Sequence, residues 1–200
     1  MHEAIVHLRR SDPVLRGIID RVGPYRIQFR DPDFETLVKS IVFQQLSGRV
    51  AGVIFGRVAD AVGGKLTPEN ILKLRPARMR SLGLSGQKTA YIRDLARHTR
   101  EGRVVFEELR ELPDEHVIER LTQVKGIGVW TVHMFLIFAL QRLNVLPTGD
   151  LGIRNAIRKA YGMEELPKPA EMETLAEPWR PYCTVASWYL WRSLEPNANL

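Results

Sequence analysis

The chain has 200 residues, with 29 Lys and Arg against 23 Asp and Glu, and a net charge of +6. That length suffices for one compact core burying about 70% of the surface the unfolded chain exposes. The basic balance suits a polyanionic partner as well as ordinary solubility. A single cysteine, Cys183, excludes an intrachain disulfide, a Cys/His metal framework and a four-cysteine iron–sulfur cluster; it reads as a small buried side chain.

Residues 1–30 predict one helix, over 13–22, with Ser11 or Asp12 as cap and Pro13 in the first turn. His7, Arg9, Arg10 and Asp12 interrupt any apolar run near the N-terminus, so no signal-peptide pattern is present, and no apolar segment reaches membrane-spanning length. A cytoplasmic monomer without a membrane partner is expected, nucleoid-associated if the source is bacterial. Asp31-Pro32-Asp33 marks a boundary. From Phe34 onward Leu37, Ile41, Val42, Leu46, Val50, Val53, Ile54 and Val58 recur at three and four, an amphipathic helical signal that Gly48 and Gly52 can break in two.

Thr67-Pro68-Glu69 opens a short helix through Leu74. A glycine turn over 82–90 then leads into Tyr91, Ile92 and Leu95, with Lys88 near the start of a helix, where it is either solvated or within reach of a phosphate. Pro113-Asp114-Glu115 starts another helix. After Asp150, the residues Leu151, Ile153, Ala156, Ile157, Ala160 and Tyr161 make an amphipathic helix that Gly162 stops. Residues 164–181 form a proline- and acid-rich connector with one short helix around 171–175, and 182–194 is a final aromatic helix. No run of alternating strand residues occurs, so the fold class is all-α.

The segment 121–150, L-T-Q-V-K-G-I-G-V-W-T-V-H-M-F-L-I-F-A-L-Q-R-L-N-V-L-P-T-G-D, organises the rest. Gly126 and Gly128 suit a sharp turn, because glycine reaches positive φ without steric cost. Residues 129–140 are almost wholly apolar and read as a helix buried on nearly all sides. Such a turn exposes backbone N–H groups at the start of the second helix and, with Lys125 beside it, offers a phosphate site; it is equally an ordinary glycine-capped corner. Pro147-Thr148-Gly149 delivers Asp150 to the next helix. The glycine turn at 82–90 echoes this one, either as a weak internal repeat or as an unrelated corner.

V-K-G-I-G-V-W-T followed by L-P-T-G-D resembles the helix-hairpin-helix and Gly/Pro-Asp loop of the base-excision DNA glycosylase superfamily, and in particular 3-methyladenine DNA glycosylase II, the AlkA type. The resemblance spans residues 34–191. It implies two helical subdomains, 34–146 and 1–33 with 150–200, with a cleft between them, and without the N-terminal β-rich domain of AlkA. By the resemblance Asp150 is the catalytic aspartate. Position alone makes it an N-cap, and the two roles are compatible. The helix dipole stabilises a carboxylate there, and a negative charge is what an oxocarbenium-like sugar requires as the base departs. A base alkylated on a ring nitrogen leaves neutral without an acid, so one carboxylate suffices.

The same resemblance assigns the remaining site. Trp130 stands where the bifunctional relatives carry a Schiff-base lysine, which implies hydrolysis without a lyase step. Trp130 and Trp191 align with the tryptophans of the base pocket, where electron-rich rings attract a cationic base. Met134 and Leu151 replace tyrosines of the AlkA pocket, which makes this one less aromatic. Lys125, Gly126, Ile127, Gly128 and Thr131, with Lys88, form the implied DNA contact. Gln45 and Leu46 align with the wedge that fills the gap left by a flipped base, although Leu46 also fits the core stripe of its helix. The carbonyls of Thr122, Val124 and Ile127 match a Na+ or K+ site; no other cofactor is implied. His133 receives no catalytic role. The expected activity is monofunctional excision of alkylated purines of the 3-methyladenine and 7-methylguanine type from double-stranded DNA. The rivals are a glycosylase of the same fold for oxidised or deaminated bases, and a non-catalytic helix-hairpin-helix module that only holds DNA.

Overall fold

The structure is a computed structural model and describes residues 1–195. Every regular element among them is helical, as the absence of strand patterning predicts. In chain order they are α1 (His2–Ser11), α2 (Pro13–Val22), α3 (Phe34–Phe43), α4 (Gly48–Ala61), α5 (Pro68–Lys73), α6 (Pro76–Ser81), α7 (Gly86–Arg100), α8 (Phe106–Leu109), α9 (Asp114–Thr122), α10 (Val129–Phe138), α11 (Leu151–Ala160), α12 (Pro169–Ala176), a 3-10 turn (Glu177–Trp179) and α13 (Cys183–Ser193). None is long and apolar enough to cross a membrane.

The described residues form two compact units, one made of residues 1–29 and 136–195, the other of residues 30–135. The second boundary falls inside α10, not in the loop after Leu146 where the sequence suggests it. The reason lies in the loop's partners. Thr184 on α13 donates its backbone N–H to Leu143 O at 2.9 Å, and its hydroxyl accepts from Val145 N at 3.0 Å. Leu146 packs into the same core as Ile153, Ile157 and Leu190.

In the first unit Asp12 is the joint. Its Oδ1 accepts from Val14 N and Leu15 N at 2.8 and 3.0 Å, capping α2. Its Oδ2 accepts from Trp179 Nε1 at 2.8 Å and from the Tyr161 hydroxyl. Burial, followed by this carboxylate, pushes the Tyr161 phenol well above its usual range. Two helices stand where one is predicted. The stripe of α1 is narrow, with only Ala4 and Leu8 buried, too little for a periodicity to show. Cys183 lies in the core as expected, and burial pushes its thiol up to about 11.

In the second unit α7 is the central support, packed against α3, α5 and α6 through Ile92, Leu95 and Ala96. Arg93 Nη1 donates to Leu74 O at 2.7 Å and closes the end of α5. The apolar run after Phe34 breaks at Gln44–Ser47; Gly48 opens α4 and Gly52 lies within it. Ala51 and Val58 are buried, but Leu46, Val50 and Val53 are exposed. The predicted stripe fails there because it runs two helices together across a loop. The short α6, with Met79 its buried residue, is also absent from the sequence reading, since six residues carry too few repeats to register.

Candidate active site

Asp150 ends the loop that Pro147 begins, and its backbone N–H donates to Pro147 O at 2.9 Å. It is 9% exposed. Its Oδ1 accepts from Ile153 N at 2.8 Å, which makes it the N-cap of α11, and also from Trp191 Nε1 at 2.9 Å. The capping geometry read from position is therefore present. Trp191, expected as a stacking surface, has the added task of fixing this carboxylate. Bonds to a charged acceptor are each worth about 1.5–3 kcal/mol.

Two residues that the sequence reading passed over complete this corner. Phe138 stacks on Trp191 with ring centroids 5.9 Å apart and planes 26° apart. Gly152 leaves room for the arrangement: a Cβ there would lie 3.0 Å from Asp150 Oδ1, 3.2 Å from Trp191 Cδ1 and 3.3 Å from Trp191 Nε1. A glycine two residues after the aspartate was the available signal. Leu151, opening α11, is 60% exposed beside them. Trp188 is buried and packs edge-on against Tyr25 and Tyr189.

Trp130 and Met134 lie in the other unit, on the opening turns of α10. The helix is not buried on nearly all sides: Val129 and Trp130 are 50% and 46% exposed, while Val132, Phe135, Leu136 and Ile137 are buried. An almost wholly apolar helix hides which end meets the core, and only the structure separates them. Trp130 and Met134, four residues apart, share one stripe of this helix. His133 is half-buried.

The hairpin is built on α7. Gly126 has φ +82°, and a Cβ on it would lie 2.1 Å from the ring of Tyr91. Gly128 has neither a positive φ nor a close neighbour, so only the first glycine is conformationally required. Lys125 N donates to Asp94 Oδ2 at 3.0 Å, and Ile127 N to Val124 O at 3.1 Å. Those two amides are thus used internally and are not offered to a ligand. Asp94 also accepts from Arg97 at 2.9 Å. Burial raises its pKa, but the bonds from Lys125 N and Arg97, with the charges of His98 and Arg97, more than offset this and hold the carboxyl below its usual value. Val124 and Ile127 turn inward while the Lys125 side chain is exposed. Thr131, expected at the DNA contact, is only 6% exposed.

Lys88 departs most from expectation. Its Nζ donates to Val42 O at 2.7 Å and Gln44 O at 2.6 Å, and desolvation lowers its pKa below the ordinary lysine value. In the loop that these bonds hold, Gln45 has φ +56° and Leu46 is 39% exposed. Leu46 therefore does not belong to the core stripe.

With this geometry in view, comparison with known proteins is direct. Residues 38–181 match the family described as HhH-GPD superfamily base excision DNA repair protein, and the chain belongs to that superfamily. It is 36% identical over 198 residues to DNA-3-methyladenine glycosylase 1 of Schizosaccharomyces pombe, covering 96% of this chain and 86% of that one. It is 34% identical over 169 residues to the putative DNA-3-methyladenine glycosylase YfjP of Bacillus subtilis, covering 81% of this chain and 59% of that one. Among solved structures, the S. pombe 3-methyladenine DNA glycosylase Mag1 in complex with abasic DNA superposes with a TM-score of 0.84 at 36% identity, over 96% of each chain. A DNA-3-methyladenine glycosidase from Bacillus halodurans superposes at 0.88 with 38% identity, over 95% of this chain and 88% of that one.

Proposed function

We propose that this protein is a monofunctional DNA glycosylase that hydrolyses the N-glycosidic bond of alkylated purines in double-stranded DNA. One observation carries the reading: a buried carboxylate at the N-terminus of α11, held by Ile153 N and Trp191 Nε1. The relatives named for 3-methyladenine support the substrate class. As the C1′–N bond breaks, the electron pair leaves with the cationic base, which departs neutral. The sugar becomes oxocarbenium-like beside the Asp150 charge, and water adds to C1′ with loss of a proton. Trp130, about half exposed at the start of α10, is a ring for a cationic base and supplies no amine for a Schiff base.

The exposed Lys125 and the first turn of α10 meet the phosphate backbone in this reading. Among the described residues no group of His, Cys, Asp and Glu could hold a metal. By the resemblance alone, a monovalent ion would take the backbone oxygens of Thr122, Val124 and Ile127. Val124 O already accepts Ile127 N and keeps its second lone pair for such an ion.

Asp150→Asn is the test. Asn is a good cap and presents the same acceptor oxygen, so folding and DNA binding should persist. Release of 3-methyladenine from methylated duplex should fall by several orders of magnitude. Near-normal release by the variant refutes the assignment. Release of oxidised or deaminated bases instead by the wild type assigns the protein to another substrate class of the same fold.

A further inference from the structure

The Gln44–Ser47 loop is held by bonds from distant parts of the chain. Gln45 is a non-glycine residue in the left-handed region, at φ +56°, a conformation that is unfavourable for a side chain with a Cβ. The last carbonyls of α3 have no helical partners of their own. Lys88 supplies both deficits from outside, with bonds of 2.7 and 2.6 Å to Val42 O and Gln44 O. These are short charge-assisted bonds, and the ammonium sits at the negative end of the α3 dipole. A second tether runs from Gln44 Nε2 to Gly126 O in the hairpin at 2.9 Å. Gly126 in turn lies against Tyr91, one turn along α7 from Lys88. Lys88, Tyr91 and Asp94 follow at three-residue steps on α7, and each holds one element: the loop, the turn glycine and the Lys125 amide.

We propose that Lys88 is a positioning residue that sets the Gln45–Leu46 loop for entry into duplex DNA, and that α7 registers this loop against the hairpin. The inference rests on the glycosylase reading above, in which that loop fills the space of the flipped base. It assigns Lys88 away from the phosphate backbone: two of its three N–H bonds point into the protein, at main-chain oxygens. The exposed leucine of the loop is then presented from a braced backbone, which costs less ordering on binding than a free loop would.

The experiment compares Lys88→Met and Lys88→Arg with the wild type in two assays. One is base release from methylated DNA, as a duplex and as the same strand alone. The other is the fluorescence of 2-aminopurine placed beside an abasic analogue in duplex DNA, which reports unstacking and needs no base release. Lys88→Met is expected to lose about tenfold in duplex release, the scale of a sub-ångström misplacement. Its single-strand release should stay near wild type, its fluorescence rise should be reduced, and Lys88→Arg should restore part of both. DNA affinity should keep its salt dependence. A phosphate contact predicts the opposite: weaker binding to every duplex and a salt slope smaller by about one, and that result overturns the proposal. Equal loss on duplex and single strand, with a lowered melting temperature, also overturns it by reducing Lys88 to a structural role. If Lys88→Met does not fold, Gln44→Ala removes the second tether and is held to the same outcomes. Failure of the wild type to release any alkylated base would sink the functional reading alone, because the fluorescence arm still tests the loop.

Discussion

Replacing Gly152 by alanine separates stability from activity, because the two should move in opposite directions. The position lies in the first turn of α11, where alanine is the better helix former; a full interior Gly→Ala exchange gains about 0.5–1 kcal/mol. The new Cβ, however, would lie 3.0 Å from Asp150 Oδ1 and 3.2 Å from Trp191 Cδ1. Both neighbours belong to the bonded pair of carboxylate and indole, so relief means moving one or both by a few tenths of an ångström. If about 1 Å of misplacement costs on the order of 100-fold, that displacement lowers the chemical step by roughly three- to tenfold. Single-turnover release of 3-methyladenine from methylated duplex reads the step directly, and a thermal melt of the same preparation reads the fold. The expected pattern is an unchanged or raised melting temperature, unchanged duplex affinity and a slower single-turnover rate. A variant as fast as the wild type would show that the bare position is incidental and that the carboxylate–indole geometry tolerates displacement.

The two hairpin glycines should respond differently: Gly126→Ala meets both the left-handed φ and the Tyr91 ring and should destabilise by more than about 1 kcal/mol, whereas Gly128→Ala should be nearly silent in the same melts. Asp94 predicts a pH dependence. Its folded pKa is depressed, so its contribution is present above the unfolded value of about 4 and is lost as pH falls through the lower folded value; Asp94→Asn should flatten the acid limb of the melting curve, and an unaltered limb contradicts the account. With indole at position 130, borohydride should trap no protein–DNA adduct during turnover and hot alkali should cut the product strand afterwards; efficient trapping abolished by one lysine substitution would move the protein to the lyase branch.

The elements legible in the sequence were those whose signal is local. Asp12, Asp33, Thr67 and Ser85 each stand as side-chain caps before their helices, and Pro13 and Pro68 mark first turns. Asp150 was legible as a cap; the catalytic role proposed for it rests on the resemblance. What stayed hidden depends on chain-distant partners. Nothing near Lys88 in sequence announces the carbonyls of Val42 and Gln44, more than forty residues earlier. The indole of Trp191 reaches a carboxylate forty-one residues back. Tyr91 and Asp94, which carry the hairpin, sit on the echoing turn's own helix and gave no sign of that service. The apolar α10 concealed its exposed end for a related reason: composition reports that a helix can be buried, whereas its neighbours determine where it is.

Two aspartates in one unit sharpen what distinguishes a site from a scaffold. Asp12 and Asp150 are both buried N-caps, and each accepts a bond from an indole N–H, from Trp179 and Trp191 respectively. Capping and an indole donor therefore do not define a catalytic carboxylate. Their surroundings differ. Asp12 uses both oxygens within the core, two amides on one and Trp179 with the Tyr161 hydroxyl on the other. Trp179 itself is fully buried. No substrate reaches such a group, and its charge is committed to joining α1, α2 and the turn before α13. Asp150 is flanked by residues that a ligand can approach: Gly149 and Leu151 are exposed and Gly152 carries no side chain. Its indole partner presents a ring stacked on Phe138, an aromatic setting next to a negative charge. In the reading proposed here that combination suits a cationic planar base on a sugar that becomes electron-poor, and it follows from access and neighbours, since an N-cap bond and an indole donor are common to both aspartates.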